Sequence, residues 1–447
     1  MRYSFDQQKD APLLEGLLAY RQKKMLPFHM PGHRGGSGSE LIWRRMGKKL
    51  LSLDLTELKE IVPGRDLEFL LQAAEELAAE AIGARRTYFL VNGASGGIIS
   101  ALLAAGTPGK KILVARNCHL SVVNGLILSG LSPVFLSPRW IDGHPAVPAP
   151  AVVKEALRRH PEAVALLVTN PGYHGIYGPL PEIGAAAKQA GVPLLVDEAH
   201  GGHLHYLGLE VEATAAGADL WVWGVHKIMG SLTQTGMLHL GPGKIDPGRV
   251  EQALALTGTT SPSYILLASL DSTRRQLYLH GREMFARAAA LGGKIRKELR
   301  KTTGIELLEE EQLPAGYGLD PTKIVLSFTP SGCSGLAAAE LLRKKYRIQP
   351  EYADLHNLYF FIAPVQRTGE IRTLLRACRG LAGTGGPERT KVGPPPWSCR
   401  PPVLSPREAF QSRLVNVPLP DAVGKVAAGW VAAYPPGIPL WIPGERI

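Results

Sequence analysis

From Thr87 onward the chain alternates short apolar runs with amphipathic stretches, and this rhythm constrains the fold more than any other feature. "TYFLV" (87–91), "KILVA" (111–115), "PVFLS" (133–137), "AVALLVT" (163–169), "PLLVD" (193–197) and "LWVWGV" (220–225) read as strands. Between them "GGIISALLAA", "SVVNGLILSG", "AVVKEALRRH" and "PEIGAAAKQA" read as helices. A strand with one wet face would alternate apolar and polar residues. Near-continuous apolar strands instead indicate a mainly parallel sheet covered by helices on both faces. Helices ending at "LLAAG", "LILSG" and "AKQAG" have glycine where a left-handed residue closes the last turn.

The expected fold class is α/β. A large domain spans about 46–275, preceded by an arm and an amphipathic helix (about 11–24) in 1–45. A connecting helix and linker fill 276–322, and a smaller α+β domain spans 323–447. Before the large domain, "PFHMPGHRGG" (27–36) reads as a loop. Within the small domain, "GTGGPERTKVGPPPWSCRPP" (383–402) is too rich in Pro and Gly for regular structure. The tail "AVGKVAAGWVAAYPPGIPLWIPGERI" is expected to hold one helix and a Pro-rich loop.

Composition removes several function classes. No apolar run is long enough to cross a bilayer, and the N-terminus lacks the apolar core of a signal peptide, so a cytoplasmic location is expected with no membrane partner. The four cysteines lie far apart without a CxxC pair, which suggests neither a disulfide framework nor a zinc site. The net charge of +11 is spread over helices such as "KIRKELRK" (294–301) rather than gathered in a binding module, so no nucleic-acid partner is expected.

Three motifs invite chemistry. "PLLVDEAH" (193–200) matches the strand-plus-DEAH pattern of helicase ATPases, but the nearest candidate phosphate loop, "GTPGKK" (106–111), has the wrong spacing and no Ser or Thr after its lysine. "HGGHLH" (200–205) offers three histidines with no HExxH-type carboxylate spacing, so no metal is expected. The third reading joins Asp197, at the end of one buried strand, to Lys227, just after another. Carboxyl ends of strands in open α/β sheets line the ligand crevice. A lysine there can form a Schiff base with an aldehyde cofactor, and an aspartate can hold a pyridinium nitrogen protonated. "LVNGASGGIISALLA" (90–104) adds a phosphate cradle, because the chain passes through Gly93, Ala94, Ser95 and Gly96 into a helix N-terminus. These are the parts of pyridoxal 5'-phosphate chemistry. His119, after a further strand, suits either stacking on the pyridine ring or capping the helix near Ser121.

Taken in order, "PFHMPGHRGG", "YFLVNGASGG", "RNCHLSVVNGLILSG", "VDEAHGGH", "GVHK", "TSPSYILLASLD" and "AYPPGIPLWIPGE" resemble the bacterial Orn/Lys/Arg decarboxylases of the aspartate-aminotransferase fold (fold type I). The resemblance implies decarboxylation of arginine, lysine or ornithine with pyridoxal phosphate. It also implies a short form without the N-terminal wing domain. It makes Lys227 the cofactor-linking lysine with His226 beside it, pairs Asp197 with the pyridine nitrogen, and stacks His119 on the ring. The Ala94 amide and Ser95, with Gly96, hold the phosphate, and Ala199 adjoins the cofactor. Thr260 and Ser261 approach the site of a neighbouring subunit, which implies a homodimer or higher homo-oligomer. The chain differs from the family pattern in having Leu120 after the histidine, Ala94 and Gly97 or Ile98 in the phosphate turn, and Gly224 and Val225 ahead of the His-Lys pair.

Lys227, His226 or His200 can return a proton to the α-carbon. For the substrate's distal cation the candidate is Glu445, with Glu351 and Asp354 in reserve. The competing functions are an aminotransferase or aldolase on the same fold, and a degenerate, non-catalytic binding protein.

Overall fold

The computed structural model describes residues 7–23, 45, 47, 49–56, 58–382, 399 and 401–447. The loop expected at 27–36 and nearly all of 383–402 lie outside the described residues. Helix α1 (Pro12–Gln22) starts with proline in its first turn, where the missing N–H costs nothing. Helix α2 (Leu67–Ile82) starts where the Asp66 side chain accepts from the Phe69 amide and stops at left-handed Gly83.

Seven strands form the main sheet: β1 (Arg86–Leu90), β2 (Lys111–Ala115), β3 (Ser132–Leu136), β4 (Leu166–Thr169), β5 (Leu194–Asp197), β6 (Leu220–Trp223) and β7 (Gly236–Leu240), in the order β1-β7-β6-β5-β4-β2-β3. All run one way except β7, which is antiparallel to both its neighbours. Six of these strands fall on the apolar runs read from the sequence. The exception is β7, "GMLHL", where His239 interrupts the apolar signal. His239 is buried against Trp221 and Trp223, and Thr87 meets its Nδ1.

Helices α3 (Gly93–Ala105), α4 (Leu120–Ser129), α5 (Pro150–Arg159) and α6 (Leu180–Ala190) follow successive strands. Helix α3 rests directly on the sheet because Gly97 faces it. A Cβ there would sit 2.7 Å from Leu90 and 3.0 Å from Val222. One turn of helix, α7 (Val225–Ile228), interrupts the path from β6 to β7, and α8 (Pro247–Thr257) follows β7.

The connecting helix α9 is one element, Tyr264–Leu299, of 36 residues and about 54 Å at 1.5 Å per residue. It starts earlier than the expected 276, and it serves two cores. Leu267, Leu277 and Phe285 join the cluster under the main sheet, whereas Ile295 and Leu299 join that of a second sheet. This second sheet has strands β8 (Glu306–Leu307), β9 (Lys323–Ser327), β10 (Tyr352–Ala353) and β11 (Asn357–Phe361), in the order β8-β9-β11-β10. Helices α10 (Gly335–Tyr346) and α11 (Thr368–Ala382) cover it.

The tail departs from expectation. Residues 422–447 contain no α-helix; Val431–Ala432 pairs instead with Pro439–Trp441 in a short hairpin. Gly424, Gly429, Pro435 and Pro436 deny a helix enough uninterrupted residues. Ile442 is buried in the core of the large sheet, and Arg407 donates to the Ile127 carbonyl at the end of α4.

Candidate active site

The carboxyl ends of β2, β4, β5 and β6 open into a cavity of about 420 Å³. Asp197 closes β5, paired in register with Thr169 at the end of β4. Its carboxylate is buried, and Oδ1 accepts from the Ala199 amide at 3.2 Å. Lys227 sits on α7, with its amide donating to the Gly224 carbonyl. The sharp turn after β6 thereby carries the lysine side chain to the cavity wall. Burial, the largest influence, holds its ammonium down at about 8, against opposing attraction from Asp197. At pH 7 about a tenth of such a lysine is free amine, against fewer than about one in a thousand at an ordinary lysine pKa.

His119 both caps and lines. Its Nδ1 accepts from the Ser121 amide at 3.1 Å, so the N–H of the neutral ring is on Nε2. The same ring faces the cavity, and burial lowers its pKa although Asp197 pulls the other way. His226 donates from Nδ1 to the Thr235 carbonyl at 2.7 Å, which fixes its tautomer because a carbonyl only accepts. His200 lies against the rings of Tyr173 and Phe361, and burial holds it neutral. The histidines of "HGGHLH" part ways. His200 enters the cavity, His203 meets Asp320 at 3.0 Å, and His205 approaches Glu212 at 3.8 Å.

The residues fit pyridoxal phosphate on two observations. Thr169 Oγ1 and Asn117 Oδ1 are buried, line the cavity and lack a hydrogen-bond partner among the described residues, which marks a place for a polar ligand. At one end of the cavity lie Gly93, Ala94 and Ser95 in the first turn of α3; the Gly93 amide donates to the Gln234 carbonyl at 2.8 Å, whereas those of Ala94 and Ser95 have no intrahelical acceptor. This cradle is kept open by Gly236, where a Cβ would stand 3.0 Å from the Ala94 nitrogen.

The structure thus brings together Lys227, His226, Asp197, His119, His200, Ala94, Ser95 and Ala199. Gly96 lies one residue further into α3, buried, and its amide donates to the Asn92 carbonyl. Thr260 and Ser261 are exposed and do not reach the cavity of their own chain.

Glu445 requires correction. It is buried beside the sheet, and Arg116 donates to both of its oxygens, at 3.2 and 3.0 Å. The Ile442 amide takes a further bond at 3.0 Å. Nothing of this carboxylate remains for a substrate. Arg116, fully buried after β2, also donates to the Pro439 and Leu440 carbonyls and so fastens the tail. That tail in turn lays Tyr434, Pro435, Pro436 and Ile438 along the cavity. Breaking a buried pair strands a charge, so Glu445→Gln is expected to cost about 3 kcal/mol or more. Thermal denaturation reads this as a lower Tm, and an unchanged Tm would sink the assignment.

Of the two carboxylates in reserve, Asp354 is occupied by the His356 and Asn357 amides and the Tyr359 hydroxyl. Glu351 lines the cavity and accepts from the Tyr173 hydroxyl at 2.9 Å. Sequence reasoning missed Tyr173, Thr169, Asn117, Phe361 and Tyr434. The strand-end rule that found Asp197 applies equally to Thr169 in "LLVTNPGY" and Asn117 in "LVARNCH". No local signal marks Phe361 or Tyr434.

Comparison with known proteins places this geometry in context. The family model described as the Orn/Lys/Arg decarboxylase major domain matches residues 11–370, and that of the corresponding C-terminal domain matches 398–447. An arginine decarboxylase of Halalkalibacterium halodurans is 37% identical, covering 98% of this chain and 91% of its own. One from Bacillus subtilis is 36% identical over 98% and 92%. Among solved structures, the Francisella novicida lysine decarboxylase LdcF superposes with a TM-score of 0.81 at 19% identity, covering 98% of this chain and 75% of that one. The fold is shared more distantly with a Nostoc alanine–glyoxylate aminotransferase, at TM-score 0.56 and 17% identity, over 70% and 86% of the two chains.

Proposed function

This chain belongs to the Orn/Lys/Arg decarboxylase family and is a pyridoxal-phosphate-dependent decarboxylase of a basic amino acid, and we propose that the amino acid is arginine. The observation that carries the reading is the meeting of Lys227, Asp197 and Glu351 in one cavity. The full-length relatives named arginine decarboxylases support the choice among the three substrates.

When bound, the cofactor supplies an aldehyde that links to an amine and a protonated ring that takes up the electron pair left by departing CO2. The chain's own groups do the rest. Lys227 Nζ would be the attachment point, and a pKa near 8 would suit the same amine to return a proton to the α-carbon. Asp197 would keep the ring nitrogen protonated. His119 would lie against the ring, and the first turn of α3, with Ser95, would hold the phosphate. His226 and His200 are the further proton-bearing groups at the wall. Among the described lining residues there is no arginine. A bidentate arginine clamp on the α-carboxylate would hold back a charge that must leave as neutral CO2, and none of the described lining residues supplies one.

Purified protein incubated with the cofactor and with arginine, lysine or ornithine is expected to release CO2 and the matching amine fastest from arginine. Equal or greater turnover of lysine or ornithine would overturn the arginine assignment, and keto-acid formation would overturn decarboxylation.

Glu351 would meet the guanidinium. A charge-assisted hydrogen bond is worth about 1.5–3 kcal/mol, so Glu351→Gln should raise KM for arginine about 10- to 100-fold with kcat little changed. An unmoved KM removes Glu351 from substrate binding.

The exposed Thr260 and Ser261, which do not line the cavity of their own chain, fit contact with a second copy. Light scattering should give at least a homodimer; a monomer with full activity would contradict it. No helix among the described residues is long and apolar enough to cross a membrane, and we place the enzyme in the cytoplasm.

A further inference from the structure

A second buried lysine lies behind the cavity. Lys323 opens β9 and pairs in register with Phe361 of β11, whose ring lines the cavity. The ammonium stands 5.1 Å from the centre of that ring. It is only 4% exposed, and Nζ donates to no partner among the described residues. Its counter-charge is Asp320, with Oδ2 at 3.7 Å, too far for a hydrogen bond. Asp320 is itself fully buried. Its Oδ1 accepts from the Thr322 amide and hydroxyl at 2.9 and 2.6 Å, and His203 of the large domain touches its Oδ2. Burial alone would push the Asp320 carboxyl up, yet His203, Lys323 and Thr322 hold it well below its ordinary range. An ionised carboxylate is therefore kept in place for a lysine that it does not fully neutralise.

We propose that Lys323 is a positioning residue for the reaction, a buried ammonium held by Asp320 behind the Phe361 wall that acts through space on Lys227. The inference rests on the reading of Lys227 as the cofactor-linking lysine. Lys323 lies against the ring of Phe361, and Phe361 and Lys227 line the same cavity, so the two charges share surroundings that screen less than bulk water. A like charge at that place disfavours the protonated form of Lys227 and enlarges the fraction able to attack an aldehyde. The other charged and titratable groups facing Lys323 are Asp320 and Glu351, which stabilise its charge, and His174 and His200, which burial keeps neutral. Lys323 figures among the groups that lower Lys227, after burial itself. Nothing in the substrate chemistry requires a lysine on β9, and a purely structural contact between the two sheets would be met as well by an apolar residue.

The test is the pH midpoint of Lys227 in Lys323→Met and Lys323→Gln, the second offering an amide to Asp320 should the first not fold. Two readouts serve. One is the pH titration of the cofactor absorbance in the loaded protein. The other is the rate of acetic anhydride labelling of Lys227 in cofactor-free protein, followed by mass spectrometry. Both midpoints are expected to move to higher pH in the neutral variants and to remain near the parent value in Lys323→Arg. A lower Tm with both midpoints unmoved would make Lys323 a structural tie only and overturn the proposal. Because labelling needs no cofactor, that failure is distinct from failure of the cofactor reading, which would show as no absorbance band at all in the parent protein.

Discussion

Lys227→Ala should lose at least three orders of magnitude in decarboxylation and lack the absorbance of lysine-bound cofactor, while remaining folded. The side chain lies at a cavity wall rather than in a packed core, and α7 is held by its backbone bond to Gly224, which alanine keeps. Retention of the absorbance band by the variant would show that another amine carries the cofactor. The cofactor-free protein gives a second, independent signature. The folded-state pKa of Lys227 is about 8, whereas in an unfolded chain it is about 10.4. Below pH 8 both states are protonated and the folded chain bears the full cost of the buried charge. From pH 8 to about 10.4 the unfolded chain holds a proton that the folded chain has released, so parent stability gains with pH over that window. The alanine variant has no such gain. Its Tm relative to the parent should therefore fall as pH rises through the window and be flat below it.

The order of strands and helices was legible because a doubly covered sheet leaves an unambiguous apolar record. Where a strand carries a polar core residue, as β7 carries His239, the record fails although the strand is buried throughout. That Asp197 and Lys227 meet in one cavity was legible for a related reason. Asp197 and Lys227 are charges set directly against apolar strands, and strand ends are where such a sheet opens. Glu445 shows the limit. A glutamate on a Pro-stiffened loop looks available for a substrate, and nothing local reveals that Arg116, 329 positions earlier, takes both oxygens. Lys323 was illegible for the same reason, since its meaning depends on Asp320, His203 and Phe361 converging from three elements. Pairing between distant residues is a tertiary property that periodicity does not encode.

Asp197→Asn separates the part this side chain plays in the turn after β5 from the part proposed for it at the cofactor. Oδ1 accepts from the Ala199 amide and so holds the turn after β5, which is a sufficient structural reason for an aspartate here. Asparagine retains that oxygen and can retain that bond, so the turn, the fold and the cavity should persist, with Tm close to the parent. What asparagine lacks is the negative charge. Without it the ring nitrogen of the cofactor is no longer held protonated, and the ring draws electrons from the reacting carbon far less strongly. A fall in kcat of about a hundredfold to ten-thousandfold is expected, in the range of other losses of transition-state charge stabilisation. Cofactor should still bind through Lys227 and the α3 cradle, so the loss would appear in kcat rather than in occupancy. The charge has a second effect, readable without turnover. Asp197 favours the protonated forms of both Lys227 and His119, so in the variant both should titrate at lower pH than in the parent. For Lys227 this shift is opposite in sign to that expected from removing Lys323, and the same labelling measurement reads both. Near-native kcat in Asp197→Asn, with the Lys227 midpoint unmoved, would reduce Asp197 to a residue of the turn.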